Sequence, residues 1–148
     1  ACVVLTSFIP MLMDTGGNSG GQSSVTIIRS MSIGDVEMRD VFKVIWKELR
    51  VSVMCGLTLA CANFVKMMLI DKSSIVAGGQ NAVMVAAVVC LTLCITVIIA
   101  KFIGCTLPMV AKKIGFDPAV MASPFITTIV DAVSLIVFFR IAVVLLHI

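Results

Sequence analysis

The 148-residue chain is 60% apolar and only 13% charged, with a net charge of +3 and a mean hydropathy of +1.18. Soluble domains carry about 25% charged residues, so this composition excludes a water-soluble globule and points to lipid as the solvent. One window of 28 residues, Ser73 to Ala100, holds no charge at all. About 20 apolar residues cross a bilayer as a helix, whereas a barrel would read as short alternating segments. The expected fold class is therefore all-α: a polytopic helical membrane protein with four transmembrane helices and a cytoplasmic interfacial amphipathic helix. The chain opens at Ala1 inside an apolar run, without Met or a charged leader, which reads as a piece of a longer protein.

In chain order, the first span is expected over about Ala1 to Ile28, interrupted by Asp14 and the run "GGNSGG". Next comes "GDVEMRDVFKVIWKELR", in which Val41, Phe42, Ile45 and Leu49 recur at helical spacing with Trp46 beside them. That pattern predicts an amphipathic helix lying in the interface. The second span is expected over Val51 to Ile70 and the third over Ile75 to Val110, with Gly104 and Pro108 kinking or ending it. The fourth, Pro118 to Leu146, should start with Asp117 as N-cap and Pro118 at N1.

Loop charges give orientation. Arg29, Arg39, Lys43, Lys47 and Arg50 lie between spans one and two, and Lys112 and Lys113 between three and four. Only Lys66 and Lys72 lie between two and three. The positive-inside rule puts the first and third connections in the cytoplasm and both termini outside, with Lys66 and Arg140 snorkelling at the outer surface. The cysteines and methionines read as packing residues. Cys90 and Cys94 share a helix face, but no further ligand stands at metal spacing.

Two polar stripes remain. Asp131 stands alone in "TTIVDAVSL", at a depth where a charge costs roughly 2.5–3.5 kcal/mol on insertion scales. At about 100° per residue, Pro124, Thr127, Thr128, Ser134 and Ser123 all fall within about 80° of it, and Arg140 points to the opposite face. On the first span, Asp14, Gln22, Thr26 and Arg29 lie within about 80° of Asn18. Gly16 and Gly20, and Gly17 and Gly21, are each at GxxxG spacing, allowing close helix approach or a loosened backbone. Structural readings stand beside the functional one: an ion pair of Asp131 with Lys101, helix-to-helix bonds from Asn18 and Gln22, or a hydrated kink at Asp14. As chemistry, one carboxylate among hydroxyls, amides and carbonyls is an oxygen-only set suited to a hard cation held through its water. Two chains face to face would bring two Asp131 carboxylates to one axis.

The segments "FIPMLMDTGGNSGGQSSVTIIRSMSIGDV" and "DPAVMASPFITTIVDAVSLIVFF" closely resemble the membrane domain of the MgtE magnesium channel family. The resemblance covers essentially the whole chain, as the last four of that family's five membrane helices. It implies a homodimer in a cell membrane, with a pore lined by the first and fourth spans. Asp131 would bind hydrated Mg²⁺ at its centre, and Thr127 and Ser123 would line the path with Gly17, Asn18, Gly21, Gln22 and Asp14. Cytosolic regulatory modules close the pore in that family and are not in this chain. Asp14 stands where some relatives carry Gly, Ser123 where some carry Asn, and Ser134 where Gly is frequent.

The leading expectation is a Mg²⁺ channel driven by membrane potential, with the bilayer, Mg²⁺ and a second copy as partners and no nucleic acid. The alternatives are a proton- or Na⁺-coupled transporter of divalent cations and a non-transporting anchor or sensor. An enzyme is not expected: His147 is the single histidine, and no nucleophile–base pair is evident.

Overall fold

The computed structural model describes residues 2–120 and 124–146. Every regular element among them is helical: α1 (Cys2–Thr6), α2 (Ile9–Ser32), a 3₁₀ turn (Met38–Asp40), α3 (Val41–Lys66), a π-helical turn (Met67–Asp71), α4 (Lys72–Ala77), α5 (Ala82–Lys113) and α6 (Pro124–Leu146). Three helical stretches, Met38–Ala77, Ala82–Lys113 and Pro124–Leu146, are long and apolar enough to cross a membrane. With α2, a helix of 24 residues and about 36 Å, they form the bundle of a multi-pass membrane protein.

Local signals explain the helix ends. Pro10 sits in the first turn of α2, where its missing N–H leaves no helical bond unmade. Asn81 caps α5 by accepting from the N–H groups of Val83 (3.0 Å) and Met84 (3.4 Å). At the other end of α2 and α5, Gly34 (φ 81°) and Gly115 (φ 85°) turn the chain into the left-handed region. This lets Asp35 N–H reach Ser30 O and Phe116 N–H reach Ala111 O, closing both helices on the same six-residue bond.

Residue contacts fix the topology. Glu48 meets Lys101, and the Cys94 and Cys90 thiols donate to Gly56 O (3.2 Å) and Ala60 O (3.3 Å), so α3 and α5 run antiparallel. Gly16 faces Thr96 and Ser134, while Gly20 faces Ala100 and Ile126. Helix α2 therefore runs parallel to α5 and antiparallel to α6. Helix α5 is the centre, with Val85, Val88, Val89, Val97 and Ala100 fully buried. In lipid such a bundle is held by close packing and polar contacts rather than by exclusion from water. Apolar clusters close it at two ends, Leu12, Met67, Val89 and Phe138 at one and Ile27, Met31, Val44, Cys105 and Met109 at the other.

Several boundaries differ from expectation. The glycine-rich segment interrupts the apolar run but not the helix, since α2 is continuous through Gly16–Gly21. The amphipathic segment is present, but as the first turns of α3 rather than a separate helix. Within it Val44 and Glu48 turn inward while Phe42 and Trp46 are exposed. Pro108 does not end the helix, since α5 continues to Lys113. Gly104 serves a different purpose: a Cβ there would collide with the Gly20 carbonyl, so this glycine lets the α2 and α5 backbones touch. Asp117 does not cap α6. It accepts from Ala119 N–H at 2.8 Å in a turn, and α6 runs from Pro124.

Candidate cation-permeation site

One face of α2 packs on its neighbours and another is open. Gly16, Gly17 and Gly20 are buried against α5 and α6, whereas Asp14, Asn18, Gln22, Thr26 and Arg29 are exposed along the opposite side. The rotation deduced from sequence therefore holds. Between this open face and α6 lies a groove of about 510 Å³ lined by Gly17, Asn18, Gly21, Gln22, Val25, Thr26 and Thr127.

Glycine shapes the groove. A Cβ on Gly17 would stand 3.1 Å from Thr127 Cγ2 and 3.9 Å from Asp131 Oδ1, so the bare backbone lets α6 come close. A Cβ on Gly21 would meet nothing within 4 Å; its absence widens the groove instead. The Thr127 hydroxyl donates to Pro124 O at 3.0 Å and Thr26 to Gln22 O at 2.9 Å. With their hydrogens engaged, both oxygens present lone pairs, the polarity that a hydrated cation's waters need.

Asp131 lies seven residues beyond Pro124, about 10 Å along α6. Its Oδ1 is buried and makes no hydrogen bond among the described residues. Buried polar atoms are normally satisfied, so an unpartnered carboxylate oxygen calls for a water or cation. Asp14 lies one turn from Asn18 on the same exposed face of α2. The arrangement is a carboxylate beside neutral oxygens, suited to a hard cation that keeps its water.

The structure thus gathers Gly17, Asn18, Gly21, Gln22 and Thr127 into one groove with Asp131 at its edge and Asp14 exposed on the same face of α2. Ser123 and His147 lie outside the described residues. Two members of the α6 stripe leave it: Ser134 is buried, donating to Val130 O at 2.6 Å and facing Gly16, and Thr128 donates to Pro124 O on the outer side. The proposed Asp131–Lys101 pair is not formed. Lys101 Nζ instead lies 3.4 Å from Glu48 Oε2 and 3.2 Å from Ser23 Oγ, and Ser23 donates to Glu48 at 2.5 Å. This network on α2, α3 and α5 was missed in the sequence. The signal for it was Lys101 itself, a cation within a long apolar run that requires a partner. At the opposite end Lys66 pairs with Asp71 at 2.9 Å and lies over the Phe8 ring, rather than reaching freely outward.

Comparison with known proteins gives the family. The profile of the MgtE family, described as a divalent cation transporter, matches residues 9–141. The chain is 32% identical over 147 residues to the magnesium transporter MgtE of Thermus thermophilus, covering 99% of this chain and 30% of that protein. It is 32% identical over 145 residues to the Bacillus subtilis magnesium transporter MgtE, covering 98% and 30%, and 30% identical over 139 residues to that of Enterococcus faecalis, covering 94% and 29%. The chain thus spans about 30% of the length of these relatives. With a family profile covering residues 9–141 and relatives 32% identical over nearly its whole length, the chain belongs to the MgtE family of divalent cation transporters.

Proposed function

We propose that this chain is the ion-conducting membrane domain of a Mg²⁺ channel, paired with a second copy and driven by the membrane potential. The observation that carries the reading is the unpartnered Asp131 carboxylate oxygen beside a groove of neutral oxygens on the open face of an otherwise apolar chain. The names of the relatives, magnesium transporters, supply the ion. A lone copy would leave Asp14, Asn18 and Gln22 facing lipid, where polar side chains are unfavourable. A two-fold partner placed over this face would enclose the groove and bring two Asp131 carboxylates near one axis.

In this mechanism Mg²⁺ enters with its water. It surrenders that water reluctantly, so the groove admits a hydrated ion. Asp131 and Asp14 attract the charge, while Thr127, Asn18 and Gln22 receive or donate hydrogen bonds to the water. Inward movement of a divalent ion gains about 4.6 kcal/mol per 100 mV, twice the single-charge value, so no energy-coupling chemistry is required. Loop charges favour both ends of the chain outside and the connections after α2 and α5 in the cytoplasm. Nothing in this mechanism makes or breaks a covalent bond, in keeping with a transporter rather than an enzyme.

The test is Mg²⁺ entry into proteoliposomes holding the intact protein, driven by an imposed K⁺ diffusion potential. Entry that follows the potential alone, with proton and Na⁺ gradients collapsed, is the expected result. Entry that stops without one of those gradients would replace the channel with a coupled transporter.

A further inference from the structure

The Ser23–Glu48–Lys101 network lies outside the permeation groove, yet it is tied to the helix that forms it. Each residue comes from a different helix: Ser23 from α2, Glu48 from α3 and Lys101 from α5. All three are largely buried, with Ser23 2% exposed and the Lys101 and Glu48 side chains 12% and 9% exposed. A buried ion pair is a weak source of stability compared with well-packed apolar side chains, and its best-attested use is to fix register.

Leu12 at one end of α2 and Ile27 and Met31 at the other interlock with apolar clusters, but the stretch between them, which carries the groove, has little to fix its rotation. Its face toward α5 and α6 is built from Gly16, Gly17 and Gly20, and at Gly104 backbone meets backbone. Such a smooth contact allows close approach but offers few side chains to interlock. Ser23 follows Gln22 directly, so a directional bond at Ser23 sets the angle at which Gln22 and Asn18 face the groove. At a side-chain radius of about 5–6 Å, a turn of roughly 30° would carry those groups about 3 Å sideways, the width of a water molecule.

We infer that Ser23, Glu48 and Lys101 are positioning residues: they lock the rotation of α2 so that its amide stripe meets the hydration shell of the passing cation. This inference rests on the Mg²⁺-permeation reading above. It separates affinity from stability, because apolar packing can replace the network's contribution to folding but not its direction.

The experiment uses the intact protein in proteoliposomes and records the half-saturating Mg²⁺ concentration for entry together with the melting temperature. In Ser23→Ala the ion pair remains and only the tie to α2 is cut. Half-saturation should rise about five-fold, the worth of roughly one hydrogen bond, and the melting temperature should fall by a few degrees because Glu48 loses a buried charge-assisted bond. A Ser23→Thr variant, which restores a hydroxyl, should recover most of the affinity. The triple variant Ser23→Ala, Glu48→Leu, Lys101→Met should melt near the wild-type temperature yet keep the raised half-saturation. Wild-type half-saturation in Ser23→Ala, or in the triple variant, overturns the positioning role and leaves a purely structural network. Asp131→Asn in the same assay separates the two readings: if it conducts as wild type does, the permeation reading fails and this inference with it. If Asp131→Asn is inactive while Ser23→Ala is unaltered, only the positioning role fails.

Discussion

Asp131 and Glu48 are both carboxylates set within the same helical bundle, and their surroundings are opposite. Glu48 has its charge matched by Lys101 and a hydrogen bond from Ser23. Asp131 has an Oδ1 with no hydrogen-bond partner among the described residues and a groove at its side. A charge inside a membrane protein is unfavourable in either place. One is neutralised by the protein itself; the other is, in the permeation proposal, the group that meets the cation. Membrane depth and rarity therefore do not separate the two carboxylates; what separates them is that Glu48 has an internal partner, while Asp131 Oδ1 has none among the described residues and stands beside Gly17 of the groove.

Mutations at the two carboxylates should therefore break different things. The largest effect is expected on folding at the matched pair. Glu48→Leu or Lys101→Met alone strands the other charge, and each should lower stability by about 3–5 kcal/mol, read as thermal denaturation in detergent. Making both changes together should recover most of that loss. If the double variant is as unstable as either single one, Glu48 and Lys101 do not act as a pair. The glycines sharpen the contrast at intermediate size. Gly104→Ala drives a methyl into the Gly20 carbonyl and should destabilise by about 1–3 kcal/mol, as overpacking does. Gly21→Ala points its methyl into open space, so stability should stay within about 0.5 kcal/mol of wild type, with a reduced rate of Mg²⁺ entry as the only consequence. Equal destabilisation by both substitutions would contradict the division of α2 into a packed and an open face.

The open face was legible because helical rotation is simple arithmetic. Asp14, Asn18, Gln22 and Thr26 needed only a helix to share a side, and α2 supplied it. The run of glycines was harder to read, since glycine equally suits a loosened backbone and a close contact. Its partners, Thr127 beside Gly17 and Gly104 beside Gly20, lie more than 80 residues away in the chain. Lys101 posed the same difficulty. That it needed a carboxylate was evident, but the choice between Asp131 and Glu48 depends on the rotation of α3, where Glu48 falls in line with buried Val44 and Ser52. At about 100° per residue Glu48, seven residues after Val41 and three after Ile45, falls in the apolar stripe of the segment around Trp46 rather than on its charged side. The π-helical turn at Met67–Asp71 left no mark in the composition at all. Its wider turn coincides with the Lys66–Asp71 pair.

The most direct test of the difference between the two carboxylates is Mg²⁺ flux through the intact protein carrying Asp131→Asn, with its melting temperature recorded on the same preparation. Asparagine keeps the shape and removes the charge. Flux should fall by on the order of tenfold or more, from the several kcal/mol that a nearby charge contributes at intermediate dielectric. The melting temperature should be unchanged or slightly higher, because no internal bond is lost. Flux that persists at the wild-type rate, or a collapse of stability like that expected for Glu48→Leu, would show that Asp131 is a structural charge and not the cation site.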